Sequence, residues 1–287
     1  MRVLVVGGAG HYSSLISEHL STEHDLTVLD VQPSKKGFWS KCIVGSITDP
    51  DATYEACKGH DAIVSFHKGD ADVSSVGTAI LLGAAERAGI SQVIYTSSAG
   101  MAYPIPALSG ENPLRGEARE DAYWRGRLPV TENHGLYPGN EAIGYFTNKW
   151  IGEQIGRMFE ERGVYMTAIR PGNLMHDDMG CRDFEAEKVV DHIHLLMCGH
   201  VTVRDAARMY RAALERPCSG FRVANLANDT AYSLVSTDAS ARQLRFRCAD
   251  PQIYLDFYGR QEWDRVYTEL ARRRFPSVLL EEIRASR

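Results

Sequence analysis

The sequence predicts an α/β fold, a doubly wound parallel sheet with a small C-terminal lobe. Three observations carry that prediction. Short β-branched apolar runs alternate with stretches of helical spacing, the pattern of a parallel sheet covered by helices on both faces. The first such run, RVLVV at 2–6, leads directly into a glycine turn, GGAGHYSS, and then into the helical stretch LISEHL. Later runs end in hydroxyl or amide residues (Ser97, Ser98, Asn173), at the carboxyl ends where open α/β sheets hold their ligands. Together these describe a Rossmann-type arrangement.

RVLVV is apolar after its arginine, so it reads as a strand buried on both faces. In the turn that follows, Gly7 and Gly10 let the backbone bend tightly and approach a pyrophosphate. The helix opened by His11 and Tyr12 offers that anion unpaired N–H groups and the positive end of its dipole. Ser13 stands where a third glycine is expected and is the next smallest choice for close helix–strand packing. DLTVLD is the second strand. Its terminal Asp30 lies twenty residues past Gly10, the distance expected of a carboxylate that bonds a ribose 2′-hydroxyl. That charge repels a 2′-phosphate, so NAD is favoured over NADP, although Lys35 and Lys36 nearby leave NADP open.

CIVGSITD reads as a third strand and turn, DAIVSFH as a fourth strand, and SQVIYTSS as a fifth. Residues 76–88 (VGTAILLGAAERA) are predicted as a helix closed by Gly89, and 141–162 as a long helix capped by Asn140 and stopped by Gly163. YMTAIRPGN is a sixth strand ending at a proline turn, and HVTVRDAARMYRAALER a short strand feeding a helix. The expected organisation is a dinucleotide-binding domain over 1–173, with an inserted loop at 104–128. A small substrate lobe follows over 174–287, with 200–216 returning to the core.

A net charge of −5 gives no electrostatic reason to expect nucleic acid as a partner. Six scattered cysteines without a CxxC read as reduced thiols of a cytoplasmic protein, not as a disulfide framework. The first strand begins at Arg2, so no signal peptide is expected. No apolar run approaches the ~20 residues needed to span a bilayer.

The chemistry is expected on the 141–162 helix. Its apolar stripe is Ile143, Phe146, Trp150, Ile155 and Met158, and Tyr145 and Lys149 form an i, i+4 pair on the neighbouring face. A free phenol, with a pKa near 10, is too weak a base at neutral pH. A nearby ammonium and the positive ring of oxidised nicotinamide both favour the phenolate, which would bring Tyr145 into range for proton transfer. Ser98 is the candidate hydroxyl to hold the reacting oxygen.

The motifs GGAGHYSS with Asp30, YTSSAGMAY (95–103), PVTENHGLYP (129–138), YFTNK and RPGN (170–173), in this order, resemble the extended short-chain dehydrogenase/reductase family, also called the NAD-dependent epimerase/dehydratase family. HVTVRDAA at 200–207 resembles its late strand–helix unit, so the likeness spans about residues 2–215. The resemblance implies Tyr145 as acid/base, Lys149 as its electrostatic partner and a ribose ligand, and Ser98 as the oxygen-positioning hydroxyl. The cofactor set it implies is Gly7, Gly10, His11, Tyr12, Asp30, Ser46, Ile47, Phe66, Thr96, Tyr145 and Lys149. The resemblance further implies Ser98 and Asn173 beside the substrate; the candidate substrate set read from this chain adds Lys68, Ala99 and His176, with His67 also facing the nicotinamide pocket and His194 a further donor.

The chain departs from the family at several points. Ser46 replaces a usual aspartate, Ser74 a usual asparagine, and FHKGD follows the fourth strand where a small apolar turn is common. Ser98 and Tyr145 stand 47 positions apart, more than usual, and the surplus between Tyr103 and Pro129 reads as a lid or subunit contact. Only 26 residues separate RPGN from HVTV, too few to grip a nucleotide diphosphate sugar. A small carbohydrate-like substrate is expected, as in the uronate dehydrogenase branch, which has a similarly trimmed lobe. Metal sites drawn from His176–Asp178 with Cys181, or from 191–194 with His200, lack the tight ligand spacing such sites need, so no metal is expected.

The expected function is NAD-dependent hydride transfer with a secondary alcohol or carbonyl. Alternatives are an epimerase or dehydratase with retained NAD, and a non-catalytic NAD(P)-sensing regulator. The resemblance also implies a homodimer built from the 76–88 and 141–162 helices of two subunits.

Overall fold

A computed structural model describes residues 1–34, 37–102, 129–136, 144–177, 199–229, 233 and 235–248. The inserted loop at 104–128, Asn140, Lys35, Lys36, Asp178, Cys181, the 191–194 cluster and most of the C-terminal lobe lie outside them.

Seven parallel strands make the main sheet. In chain order they are β1 (Arg2–Val6), β2 (Asp25–Asp30), β3 (Lys41–Val44), β4 (Ala62–Ser65), β5 (Gln92–Thr96), β6 (Tyr165–Pro171) and the last strand, Arg222–Leu226. Their spatial order is β3-β2-β1-β4-β5-β6 followed by Arg222–Leu226 at the edge. The chain therefore reverses direction across the sheet between β1 and β4, and a crevice opens at that switch point. α1 (His11–Leu20), α2 (Pro50–Cys57), α3 (Thr78–Ala88) and α4 (Gly144–Met158) make the early connections. A second, two-stranded sheet pairs β7 (Leu174–Met175) with β8 (Val201–Thr202), and α5 (Val203–Glu215) leads on to β9, the Arg222–Leu226 strand, and α6 (Asp238–Leu244).

Alternation explains why β1 carries no polar residue after Arg2. Val3 and Val5 join one core with Ile16 and Leu20 of α1 and Ala206 and Tyr210 of α5. Leu4 and Val6 join the opposite core with Leu81, Leu82 and Ala85 of α3. Successive side chains leave a strand on opposite faces, so a strand buried on both needs apolar residues throughout.

Three sequence expectations are corrected. The 76–88 helix begins earlier, as a π-helical turn over Asp72–Gly77 that runs into α3. The long helix ends at Met158 and tightens into a 3-10 turn, Glu160–Arg162, before Gly163 stops it in the left-handed region at φ 79°. Arg222–Leu226 was expected in the C-terminal lobe, yet it pairs with β6 from Thr167↔Arg222 to Pro171↔Leu226. Its partner lies some 55 residues back in the chain, and local pattern carries no sign of such a pairing.

The buried face of α4 also differs from the expected stripe. Phe146, Lys149, Gly152, Glu153 and Gly156 face inward, while Met158 is 73% exposed. The glycines are there for closeness. A Cβ at Gly152 would stand 2.3 Å from the Tyr95 hydroxyl oxygen, and one at Gly156 2.4 Å from the Met166 sulfur. Glu153 faces inward because Arg170 meets it: Nε and Nη2 donate to its two oxygens at 2.7 and 2.6 Å, with both side chains buried. The Ser97 hydroxyl donates to the same carboxylate at 2.6 Å, and Arg170 Nη1 donates to the His134 carbonyl at 2.7 Å.

Gly152→Ala tests the close packing of α4. Helix propensity alone would stabilise the variant by about 1 kcal/mol. The clash with the buried Tyr95, at the upper end of the roughly 1–3 kcal/mol that overpacking costs, should outweigh that gain and leave a net loss of about 1–2 kcal/mol in urea unfolding; a stabilised variant would refute the packing described.

Candidate functional site

The carboxyl ends of β1, β2, β4 and β5 surround a cleft of about 510 Å³. The glycine turn forms one wall. Gly7 sits at φ 73°, and a Cβ there would lie 2.9 Å from the His67 backbone nitrogen, so only glycine lets the turn and the β4 end come this close. Ser13, at the third glycine position, donates its hydroxyl to the Gly7 carbonyl at 2.8 Å, and so ties the turn down from inside α1. The first turn of α1 holds no acid, and its N-cap Gly10 makes no side-chain cap bond. The positive end of its dipole therefore faces the cleft, which Gly10, His11, Tyr12 and Ser13 line.

Asp30 ends β2 at the rim. One carboxylate oxygen accepts from the Ala9 amide and the other from the Gln32 amide, both at 2.9 Å. Each oxygen keeps a lone pair for a ribose hydroxyl. Of the expected cofactor residues, Gly7, Gly10, His11, Tyr12, Asp30, Ser46, Ile47, Phe66, Thr96 and Tyr145 all line the cleft. Ser46 is held in a local turn by Thr48, whose hydroxyl lies 2.8 Å from its own. The Phe66 ring leans on Tyr210, which lies 5.0 Å away and whose hydroxyl meets Thr96 Oγ1 at 2.6 Å. Tyr210 of α5 supports both cleft residues, and nothing in its helical spacing singled it out.

Lys149 lies beneath the lining. It is 3% exposed, and its Nζ donates to the carbonyls of Thr96 at 2.7 Å and His67 at 2.8 Å. Burial and then the charge of Lys68 pull its pKa down to about 7. Tyr145, one turn earlier, is 45% exposed, and the Ser98 side chain beside it acts to lower its pKa. The expected electrostatics are reversed here. Desolvation raises the phenol's pKa, Ser98 pulls it partly back, and the Lys149 amine sits 5.9 Å from the ring centroid with two of its N–H groups given to backbone carbonyls. Tyr145 is thus a protonated phenol at neutral pH.

The expected substrate residues are dispersed. Lys68 lines the cleft, exposed and without an ion pair among the described residues. Ser98 lies beside Tyr145. Ala99 is 1% exposed in an apolar cluster with Phe146, so it offers a ligand no surface. Asn173 begins the small sheet, its carbonyl accepting from the Val201 amide at 2.9 Å. His176 crosses to the glycine turn, where its Nε2 lies 3.2 Å from that of His11, and neighbouring Asp177 accepts from the Arg204 amide at 2.7 Å. His67 lines the cleft as expected, yet it is only 6% exposed and both its ring nitrogens are engaged, by Ser65 and Thr78. The sequence shows the histidine but not that Ser65 and Thr78 enclose it.

Residues 7–123 match a family model described as NAD(P)H-binding. No curated protein matches the sequence. Among solved structures, a variant of uronate dehydrogenase from Agrobacterium tumefaciens complexed with NAD is 17% identical, with 92% of this chain and 89% of that one covered and a TM-score of 0.66. A glucuronic acid dehydrogenase from Chromohalobacter salexigens is 18% identical, with 92% and 88% covered and a TM-score of 0.68. A UDP-N-acetylglucosamine 4-epimerase from Bacillus cereus is 16% identical, with 90% and 100% covered and a TM-score of 0.64. The N-terminal part of this chain thus matches an NAD(P)H-binding domain in sequence, and nearly the whole chain shares the fold of these dehydrogenases and epimerases.

Proposed function

We propose that this chain is an NAD-dependent oxidoreductase of the extended short-chain dehydrogenase/reductase family, acting on a secondary alcohol or carbonyl of a small sugar-like substrate. The single observation that carries the reading is that Tyr145, with Ser98 beside it and the Lys149 amine beneath, lines a cleft walled by a glycine turn. The residues fit the cofactor: a backbone cradle that any Cβ would fill, a helix N-terminus free of acid, and a carboxylate at the ribose position. NAD supplies the hydride acceptor or donor when bound.

The chain's own groups then divide the work. Asp30 accepts from a ribose hydroxyl and disfavours a 2′-phosphate. Ser98 donates to the substrate oxygen and orients it. Tyr145, protonated as found, hands its proton to an oxygen that becomes a hydroxyl. In the oxidative direction it must first be lowered by positive charge placed beside it, and Ser98 already pulls that way. Lys149 holds the β4 and β5 ends together and supplies positive potential from below. The fold's likeness to a sugar epimerase supports a second reading with the same groups, in which hydride is returned and NAD retained.

Three outcomes are expected. A panel of free sugars, sugar acids and short polyols, followed by NADH absorbance, should contain a substrate whose turnover changes net NADH. Tyr145→Phe should slow it about 10²- to 10⁴-fold, whereas conversion of a substrate without net NADH change would transfer the assignment to the epimerase reading. Asp30→Asn should weaken NADH binding by about tenfold in fluorescence titration, the loss of one charged hydrogen bond, and narrow the preference over NADPH. Light scattering at micromolar concentration should give a dimer, an expectation supported by the 51% exposure of Val76 and the exposed Met158 on the two helical segments proposed to pair; a monomer would refute it.

A further inference from the structure

Beside the cleft, four buried side chains form a chain whose proton order follows from counting donors. Thr78 Oγ1 donates its one hydrogen to the Ser74 carbonyl at 2.6 Å. At its 2.9 Å contact with His67 Nε2 it can therefore only accept, so Nε2 carries the hydrogen. The ring is neutral, because burial and then the charge of Lys149 hold its pKa at about 3. Nδ1 is then bare and accepts from the Ser65 hydroxyl at 2.6 Å. Ser74 Oγ continues the chain to the Gly69 carbonyl at 3.2 Å.

This imidazole bridges the last residue of β4 and the first of α3, across the whole 66–77 segment. Two polar tethers from α4 land on that segment: Lys149 Nζ on the His67 carbonyl at 2.8 Å, and Asn148 Nδ2 on the Gly69 carbonyl at 3.2 Å. The His67 backbone nitrogen is also the atom a side chain at Gly7 would strike. One residue therefore sets the height of the glycine turn and the seat of the lysine.

We infer that His67 is a positioning residue: as a neutral Nε2–H imidazole clamped between Ser65 and Thr78, it fixes its own carbonyl as the acceptor that holds the Lys149 amine under the cleft. The functional meaning rests on the dinucleotide reading above; the geometric role does not. An apolar ring would fill the same space but leave the Ser65 hydroxyl without its acceptor and Thr78 Oγ1 without the donor it now meets. A charged ring would carry a hydrogen on Nδ1 and stand against Lys149. The other groups facing the Lys149 amine are Lys68 from the loop after β4, the Tyr95 ring at 5.0 Å from β5, and Tyr145 on its own helix. None of these carries a negative charge at neutral pH, so the two carbonyls are what hold its charged form.

The test compares wild type, His67→Leu and His67→Gln, each labelled with ¹³Cε-lysine. The Lys149 resonance, assigned with Lys149→Arg, is titrated by NMR, and NADH affinity is measured by fluorescence. Wild type should show a Lys149 midpoint near 7. In His67→Leu that midpoint should fall by about one unit as a carbonyl acceptor is lost, and NADH should bind about tenfold more weakly. His67→Gln, whose amide N–H can reach Thr78, should recover most of both. If wild type fails to bind NADH while the midpoint still moves, the positioning role stands and the cofactor reading falls. A folded His67→Leu with wild-type midpoint and affinity overturns the inference. Should that variant not fold, Thr78→Val, which keeps the imidazole and removes the acceptor of its Nε2–H together with the bond to the Ser74 carbonyl, takes its place, and an unchanged Lys149 midpoint in it overturns the inference equally.

Discussion

The buried pair of Glu153 and Arg170 is the interaction on which the rest of the site depends. Two charges taken out of water are costly, and only complete pairing offsets that cost. Here the pairing is complete. The guanidinium meets the carboxylate through two parallel bonds and spends Nη1 on the carbonyl of His134, while Ser97 donates to the carboxylate from the β5 end. Four pieces of chain meet there: α4, β6, the residues after β5 and the 132–134 segment. Removing one partner would strand the other, at a cost of about 3–5 kcal/mol. Ser97 precedes Ser98, and Glu153 stands one turn beyond Lys149, so the pair sets where the reacting groups lie without touching the cleft.

Close approach does the remainder. α4 carries glycine where it crosses Tyr95 and Met166, which brings Lys149 down between the ends of β4 and β5. An amine that deep loses its hydration, and the two carbonyls replace only part of it, so its pKa falls to about 7. The phenol above is driven the opposite way by the same desolvation. Acid and amine are thus both nearer their neutral forms than in water.

Much of this was legible in the sequence, for stated reasons. β1, the glycine turn and Asp30 are local: the turn's conformation, the helix that follows and the acid's spacing all lie within thirty residues. Tyr145 and Lys149 were legible as a pair because helical geometry alone puts i and i+4 on one side. The buried face of α4 was misread because polarity is a poor guide where a charge finds its partner. Glu153 and Lys149 are buried while Met158 is exposed, and the partners, Arg170 and two carbonyls, come from other strands.

By itself, then, the sequence determined the strand–helix alternation, the parallel sheet, the dinucleotide-type turn and the identity of the groups at the cleft. These follow from short-range periodicity, backbone freedom at glycine and spacing along one helix. Only the tertiary structure decided that Arg222–Leu226 closes the sheet beside β6, that His67 turns inward to Ser65 and Thr78, and that the amine of Lys149 serves two carbonyls before it serves the phenol. Each of those joins residues distant in the chain, and the energy of a hydrogen bond or a buried charge depends on which partner arrives, which no local pattern records.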